Sequence, residues 1–380
     1  MKKLFQRIIL RLITPFLLKL PLKNIIVFES APDYSDNTKY VFEELLRRNI
    51  NQNYKLYWIF HNEESLMKNS LLKEENVYFL CKKDLLKVNI ICCRAKAFLS
   101  CNNFLRKRRK DQYYLHLCHG AALKNCRSYS ELPDYVDNVL TFSPFMGKYD
   151  SINFSCDNKK MLALGYPRND ILFENKIDIK KLFGERHFSK AIFWMPTYRQ
   201  NIVLGSFSNI SIPIIHDEES AIIINNIAEE NEILIIVKPH FAQDVSLIKK
   251  MNLSNIVFID NDFLSINGIE NYELLRSVDA LVSDYSSVYY DYLLTNKPIG
   301  LCFEDFEEYN KQEGFTVDPN YILSGGEKLY NTSDFCRFIY SVKNGKDVLH
   351  EERQKICKVV HTNIDNRSTQ RVVDYILTKI

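Results

Sequence analysis

The sequence predicts an α/β protein with two doubly wound, Rossmann-type sheets, and three observations support this class. The chain has 380 residues, and because a single core stops growing near roughly 250–300 residues, two domains are expected. Hydrophobic residues make up 46% of the chain and charged residues 26%, a composition typical of a protein with a sizeable core. Short apolar runs alternate with helical or polar stretches in two series, which indicates parallel sheets.

The first series of strands begins after residue 23. Its opening run, Asn24–Glu29, is apolar and rich in β-branched residues, so we predict a buried strand there. A helix is expected from about Asn37 to Arg48. The remaining strands of this series are predicted at Lys55–Phe60, Val77–Leu80, Ala97–Ser100 and Tyr114–Cys118.

The second series opens at Ala191 and predicts another sheet of the same kind. Its strands are expected at Ala191–Trp194, Glu232–Lys238, Ile256–Ile259, Ala280–Ser283 and Pro298–Cys302. The stretch 150–190 between the two series is the expected domain junction. We therefore predict domains at 24–175 and 176–350, followed by a helical segment, 351–380, that packs back on the first domain.

Residues 1–23 are predicted to form an amphipathic segment on a membrane surface. Arg7, Arg11 and Lys19 interrupt its apolar stretch and no small-residue cleavage site follows, which argues against a signal peptide. No uncharged run there approaches the roughly 20 residues of a membrane-spanning helix. At helical spacing, basic side chains share one face and apolar side chains cover the other, which is typical of a helix on anionic lipid. A core-packing helix with a solvated basic face is equally compatible, and Pro15 is expected to break or kink the helix.

Net charge and cysteine spacing exclude several classes of protein. A net charge of +3 is too small for a dedicated nucleic-acid-binding protein, so we predict no nucleic-acid partner. The basic run 106–110 is expected to be a solvated or lipid-facing loop. The 10 cysteines are scattered without the spacing of a zinc site, and reduced thiols in a cytoplasmic protein are predicted rather than a disulfide framework.

Chemistry is expected where the strands end, because ligands of open α/β sheets bind beyond the carboxyl ends of the strands. In the first such loop, His119 follows a predicted strand and precedes Gly120, which lets the backbone turn close to a ligand. An imidazole titrates near neutral pH, so His119 is the candidate general base, although a satisfied loop histidine is the plainer alternative. In the second loop, Gly165–Asp170, the groups able to bind or orient charge are Arg168 and Asp170.

Two loops of the second series present cationic and hydroxyl groups. Thr197 and Arg199 follow its first strand, where the guanidinium is suited to a phosphate. Lys238 and His240 lie two residues apart after the most apolar strand of the second half, so both side chains can reach one phosphate. A surface arginine after a proline is the alternative for Arg199.

The fifth loop, Asp284–Asp291, joins a strand to a helix through a hydroxyl-rich turn. Free N–H groups at the start of a helix bind phosphate, and Ser286 and Ser287 add hydroxyl donors. Ordinary helix capping by Asp284 or Ser286 is the alternative.

These loops together resemble the motifs of the CDP-glycerol glycerophosphotransferase family, whose members build teichoic-acid-like polymers. The matching segments are His119–Lys124 (HG-x-x-LK), Gly165–Asp170 (G-x-PR-x-D), Pro196–Arg199 (PT-x-R), Lys238–His240 (KPH), Asp284–Asp291 (DYSS-x-x-x-D) and the turn Ser35–Asn37 (SDN). The resemblance covers roughly residues 24–378. This chain departs from the family pattern at Cys118, Ala122 and Asn366, where the family usually has Trp, Pro and Gly.

The resemblance implies a GT-B-like fold, in which a cleft separates an acceptor-side domain, 24–175, from a CDP-donor-binding domain, 176–350. It implies transfer of glycerol phosphate from CDP-glycerol to a lipid-linked or glycan acceptor, with release of CMP, at the cytoplasmic face of the cell membrane. No metal and no cofactor are expected. The implied catalytic residues are His119 and His240; the pyrophosphate-binding residues are Arg168, Thr197, Arg199, Lys238, Ser286 and Ser287; and the structural or orienting residues are Gly120, Lys124, Asp170, Asp284 and Asp291.

Three alternatives remain open at this point. A CDP-ribitol transferase of the same family would share every motif. A nucleotide-sugar glycosyltransferase or epimerase of GT-B architecture should have a Glu near the ribose site and a Gly-rich donor loop, neither of which is evident. A non-catalytic membrane-associated scaffold would be expected to lose part of the constellation. The acceptor is not specified by the sequence, and the length favours a primase or a short polymer-forming member.

Overall fold

The computed structural model describes residues 2–64, 66, 73–127, 131–174, 176–197, 212–239, 245 and 249–380, with side chains from residue 9 onward. These residues form two compact units. Unit 1 comprises residues 1–121, 127–170 and 365–380, and unit 2 comprises residues 122–126 and 171–364. The division after Asp170 lies inside the predicted junction, and the domain ranges given above remain a proposal.

Unit 1 contains a parallel sheet whose strand order is β3-β2-β1-β4-β5-β6-β7. The chain builds the sheet toward one edge from β1 to β3 and toward the other edge from β4 to β7. The β1/β4 pair is therefore the switch point of a doubly wound sheet. The strands are β1 Ile25–Ser30, β2 Lys55–Phe60, β3 Val77–Cys81, β4 Ala97–Cys101, β5 Tyr113–His116, β6 Asn138–Leu140 and β7 Met161–Leu162.

The central strand of unit 1 is buried along its whole length, as its apolar run predicted. Phe28 of β1 stacks on Trp58 of β2 at 5.8 Å between ring centroids. Phe42 meets both rings edge-on at 5.0 and 5.3 Å. Aromatic pairs of this kind contribute about 0.5–1.5 kcal/mol beyond the area they bury, so this cluster fixes the helix Asp36–Arg47 on the sheet.

Unit 2 repeats the same topology, with the strand order β10-β9-β8-β11-β12-β13 and parallel pairing throughout. Its switch point is the β8/β11 pair. The strands are β8 Lys190–Trp194, β9 Ile233–Val237, β10 Ile256–Phe258, β11 Ala280–Ser283, β12 Ile299–Cys302 and β13 Glu327–Leu329.

Helices flank both sheets. Those of unit 1 are Lys2–Leu17, Asp36–Arg47, Leu85–Arg94, Pro144–Asn153 and Ser368–Leu377, with short 3₁₀ helices at Ile50–Gln52 and Asn158–Lys160. The 3₁₀ helix Pro167–Phe173 spans the division between the units. Those of unit 2 are Ile179–Phe183, Glu218–Glu230, Asn261–Ile266, Asn271–Ser277, Val288–Leu293, Phe306–Gln312, Pro319–Ile322, Thr332–Asn344 and His350–Val360.

The α/β class with parallel sheets is confirmed, and the predicted strands lie within two residues of the observed ones. Three strands were not predicted, namely β6, β7 and β13. Each has only two or three residues, which is too short for an apolar run to stand out from its surroundings.

The N-terminal segment forms a helix, Lys2–Leu17, which continues through Pro15. The Thr14 hydroxyl accepts a hydrogen bond of 2.9 Å from the buried Asn89 of the neighbouring helix Leu85–Arg94. Leu12 and Phe16, by contrast, are 67% and 73% exposed. Within the described residues, no helix is long and apolar enough to cross a membrane.

The basic run 106–110 is not simply a solvated loop, which corrects the expectation for two of its members. The ammonium of Lys107 is almost buried and pairs with Asp137 at 2.7 Å. Arg109 pairs with Asp111 at 2.6 Å and donates to the carbonyl of Leu20 at 2.5 Å. These two cations are therefore paired with aspartates, and Arg109 also with a backbone carbonyl, within the protein.

Candidate functional site

His119 lies in the loop after β5, where it is exposed to solvent. Cys118, just before it, has a positive φ of 54°, so the chain turns sharply at this point. The other histidine of this region, His116, is buried on β5, and burial lowers its pKa to about 3. His116 therefore stays neutral and out of reach, whereas His119 can meet a substrate.

Two charged groups near His119 have opposite effects on its pKa. Although the side chain is exposed, protein atoms surround the ring closely enough that loss of hydration lowers the pKa of His119 below its usual range. The carboxylate of Asp36 acts to raise this pKa, and the guanidinium of Arg168 acts to lower it. The net effect keeps the imidazole neutral near pH 7, which is the form that can accept a proton.

Arg168 is buried rather than directed into open solvent. It is 5% exposed, forms an ion pair of 2.8 Å with Asp36, and lies over the ring of Tyr166 at 5.4 Å. Its backbone N–H donates to the side chain of Asn37 at 3.1 Å. These contacts favour an orienting role for Arg168 over the predicted direct contact with pyrophosphate.

Asp170, predicted to be structural or orienting, holds the start of the helix Ser368–Leu377. Its two carboxylate oxygens accept the backbone N–H groups of Ser368 and Thr369 at 2.9 and 2.8 Å. Burial raises the pKa of Asp170, while these hydrogen bonds act to lower it. The last helix of the chain is therefore tied to the turn that carries Arg168.

The loop that begins with His119 continues from one unit into the other. Gly120 belongs to unit 1, whereas Lys124 belongs to unit 2, where it forms an antiparallel bridge with Phe315. The ammonium of Lys124 lies 5.7 Å from the ring centre of Tyr309. Contacts within unit 2 therefore hold Lys124 in place.

Hydrogen bonds between Thr197, which follows β8, and Asp284 connect the ends of the two strands at the switch point of unit 2. Asp284 follows β11 and is fully buried. One of its oxygens accepts the backbone N–H of Thr197 at 2.9 Å, and the other accepts the Thr197 hydroxyl. Next to them, Ser283 donates to the carbonyl of Met195 at 2.8 Å. The Thr197 hydroxyl proton is engaged within the protein, which favours an orienting role for this residue too.

Lys238 follows β9, the strand beside β8, and is partly buried. Burial lowers the pKa of its ammonium, and Asp260 acts in the opposite direction. A poorly hydrated ammonium is stabilised when an anion binds beside it, because the anion replaces lost hydration. Lys238 is therefore well suited to hold a phosphate group.

Ser286 and Ser287 lie directly before the helix Val288–Leu293 and are partly exposed. Asp291, within that helix, is fully buried and accepts a hydrogen bond of 2.6 Å from the hydroxyl of Tyr272. Both serines are thus accessible to solvent, while Asp291 is held inside the fold by Tyr272.

The predicted residues Arg199 and His240 lie outside the described residues. Among the residues that the structure does describe, no group of three or more His, Cys, Asp or Glu side chains is arranged to hold a metal ion. Of the residues predicted to bind pyrophosphate, Lys238, Ser286 and Ser287 are described and partly exposed.

A polar cluster in unit 1 was not predicted from the sequence. His61, after β2, contacts Asp33 at 2.7 Å and the buried Glu29 at 3.0 Å. Lys82, after β3, pairs with Glu29 at 2.6 Å, and Asn103, after β4, approaches His61 at 3.3 Å. All five residues lie near the carboxyl ends of adjacent strands. A polar residue at the end of each apolar run, or just after it, is the sequence pattern by which they could have been predicted.

Replacing His61 by glutamine is expected to lower the free energy of unfolding by roughly 1.5–3 kcal/mol at acidic pH, the usual contribution of charge-assisted hydrogen bonds. Hydrogen bonds to Glu29 and, less strongly, to Asp33 raise the pKa of His61, whereas burial and the charge of Lys82 act to lower it. Because the folded-state pKa is raised, this stabilisation is fully present below the unfolded pKa of about 6.5 and is lost as pH rises through the folded value. Urea unfolding of both proteins at pH 5.5 and pH 9 measures the difference; a difference independent of pH would contradict the assignment.

A family model, CDP-Glycerol:Poly(glycerophosphate) glycerophosphotransferase, matches residues 12–378. Teichoic acid poly(ribitol-phosphate) polymerase of Bacillus spizizenii is 25% identical over 94% of this chain and 57% of its own length. Teichoic acid glycerol-phosphate transferase of Staphylococcus aureus is 25% identical over 81% of each chain. A variant of the wall teichoic acid polymerase TagF, in a structure soaked with CDPG, has a TM-score of 0.71 and 22% identity over 94% of this chain and 89% of that chain.

At 22% identity, the likeness to TagF establishes the fold. The chain spans little more than half the length of the ribitol-phosphate polymerase. The family match, in contrast, extends over nearly the whole chain and confirms the family that the motifs indicated. The chain belongs to the CDP-glycerol:poly(glycerophosphate) glycerophosphotransferase family.

Proposed function

We propose that this protein transfers glycerol phosphate from CDP-glycerol to a hydroxyl group of a membrane-linked or glycan acceptor, releasing CMP. The observation that carries the proposal is the family match over residues 12–378. Two further observations support it. A relative of the same fold was soaked with CDPG, and a glycerol-phosphate transferase aligns with 81% of this chain.

In the proposed reaction, the acceptor hydroxyl attacks the β-phosphorus of CDP-glycerol. His119 accepts the hydroxyl proton as the new phosphorus–oxygen bond forms, and the bond to the bridging oxygen breaks so that CMP leaves with its electron pair. Lys238, Ser286 and Ser287 are the proposed partners of the negative charge on the phosphates. Arg199 and His240 are proposed for the same role.

The test is CMP release measured in parallel from CDP-glycerol and CDP-ribitol, with membrane extract as the acceptor source. UDP-N-acetylglucosamine, with release of UDP as the readout, tests the nucleotide-sugar alternative. We expect CMP from CDP-glycerol well above the rate without enzyme. Folded protein that releases CMP from neither CDP donor, across several acceptor preparations, would contradict the proposal.

CDP-ribitol is the second candidate donor, because one relative aligned with 94% of this chain is a poly(ribitol-phosphate) polymerase. The same assay separates the two polyols. A higher kcat/KM for CDP-ribitol would keep the reaction type and change the donor.

We propose that the helix Lys2–Leu17 attaches the protein to the cytoplasmic face of the membrane. Leu12 and Phe16 are one helical turn apart and largely exposed, and Leu20 is 43% exposed. Arg11 and Lys19, beside them, are exposed cations. Exposed apolar side chains flanked by cations are typical of a helix that inserts into an anionic lipid surface.

Replacing Leu12 and Phe16 together by serine is expected to weaken binding to vesicles containing phosphatidylglycerol by about 10²-fold or more, because each apolar side chain contributes roughly 1.5–3 kcal/mol when buried. Co-sedimentation with the vesicles measures the change. Ile266→Ser, which alters a residue that is 84% exposed in unit 2, is the matched control and should bind like wild type. Equal binding by the double variant would exclude the helix as the attachment site.

A further inference from the structure

Asn37 connects the loop before His119 with the turn that carries Arg168. Its side chain is fully buried. The amide nitrogen donates to the carbonyl oxygens of Leu117 and Cys118 at 3.0 and 2.8 Å. The amide oxygen accepts the backbone N–H of Arg168 at 3.1 Å. All of these residues belong to unit 1.

The contact with Cys118 bears directly on His119, since the carbonyl of Cys118 and the N–H of His119 belong to one planar peptide group. A hydrogen bond to that carbonyl therefore restrains the orientation of the peptide plane that leads into His119. Cys118 adopts the left-handed region, with a φ of 54°, which few residues other than glycine favour. The hydrogen bond from Asn37 is therefore well placed to maintain an otherwise unfavourable turn.

Asp36, the residue before Asn37, contacts the turn that carries Arg168. Its carboxylate pairs with Arg168 at 2.8 Å, and these two charges act on the His119 ring in opposite directions. Asn37 holds the backbone of Arg168 as well as that of the loop before His119. The side chain of Asn37 thus bonds to the backbone at two places, the peptide that leads into His119 and the N–H of Arg168.

We propose that Asn37 is a positioning residue for the transfer reaction, fixing the peptide that carries the candidate base His119. This inference rests on the proposed function, in which His119 takes the proton of the acceptor hydroxyl. Only an amide of this length provides two N–H donors and one acceptor oxygen at the required points. Aspartate has the same shape but, when ionised, presents oxygens to two carbonyls and cannot donate.

The experiment compares Asn37→Ala and Asn37→Asp with the matched control Thr38→Val. Thr38 is the next residue of the same helix and is also fully buried, and its hydroxyl donates to the carbonyl of Glu29 at 3.3 Å. Thr38→Val therefore removes a buried hydrogen bond without touching the loop before His119. CMP release gives kcat and KM, thermal unfolding gives stability, and NMR of histidine-labelled protein, assigned with His119→Asn, follows the titration of His119.

For the Asn37 variants we expect kcat to fall by about 10²-fold, as for a base displaced by roughly 1 Å, with the KM for CDP-glycerol within about threefold. The pKa of His119 should rise toward its usual value, because water enters around a released ring. Thr38→Val should lose stability while keeping kcat and the His119 titration close to wild type. If Asn37→Ala does not fold, Asn37→Asp, which preserves the side-chain volume, decides the question.

Equal losses of kcat in Thr38→Val and the Asn37 variants, or an unchanged His119 titration in the latter, would overturn the inference. The NMR measurement needs no substrate. It therefore decides whether Asn37 positions His119 even if wild-type protein releases no CMP, which would count against the proposed function alone.

Discussion

Replacing His119 by asparagine is expected to lower kcat for CMP release by about 10²- to 10⁴-fold, the usual contribution of a general base. Asparagine keeps a polar side chain but cannot accept a proton near neutral pH. The KM for CDP-glycerol should change little, because the proposed partner of the ring is the acceptor hydroxyl and not the donor phosphate. His350→Asn, at another exposed histidine, is the control and should retain wild-type kinetics.

The pH dependence of the wild-type rate tests the same assignment. Loss of hydration lowers the pKa of His119, so the ring remains neutral to a pH below the usual histidine value of about 6.5. The rate should therefore rise with pH through an inflection that lies below 6.5 and then level off. This inflection should be missing from the residual rate of His119→Asn; if it persists, another group is the base.

The second large effect concerns Arg353, whose replacement by methionine is expected to lower the free energy of unfolding by about 3–5 kcal/mol. Arg353 is 1% exposed and pairs with Asp347. It also donates to the carbonyls of Gly325 and Asn296 at 3.2 and 3.4 Å. Methionine preserves most of the apolar stem but leaves the carboxylate and two carbonyls without this donor.

Arg337→Met is the matched control, because Arg337 also pairs with an aspartate, Asp334, but its side chain is 68% exposed. An exposed ion pair contributes only about 0.2–1 kcal/mol, so the control should unfold almost like wild type. Urea unfolding of the three proteins, monitored by circular dichroism, provides the comparison. Similar midpoints for Arg353→Met and Arg337→Met would show that the buried pair adds no special stability.

Much of the fold could be predicted because it depends on local pattern. The apolar runs that became β1, β8 and β9 are unmistakable in the sequence, and the residues that follow β5, β8, β9 and β11 were correctly expected to stand at strand ends. Short strands such as β7 could not be found in this way, because a run of two residues carries no periodicity.

The partners of the site residues were beyond prediction for a different reason. Arg168 and Thr197 were expected to bind pyrophosphate, since a guanidinium and a hydroxyl after a strand suit an anion. The structure gives each a carboxylate partner from distant sequence, Asp36 for Arg168 and Asp284 for Thr197. A side chain with free donors takes whichever acceptor the tertiary fold brings near, and the sequence does not state which one that is.

The bond between Asp170 and Ser368 has a consequence for how the protein is made. These residues are 198 positions apart in the chain. At a typical synthesis rate of roughly 5–20 residues per second, a ribosome needs about 10–40 s to add the residues between them. During that interval the first sheet has been synthesised, yet the helix that closes unit 1 does not exist. Until that last helix has been made, the helix Asp36–Arg47, against which it packs, lacks this cover.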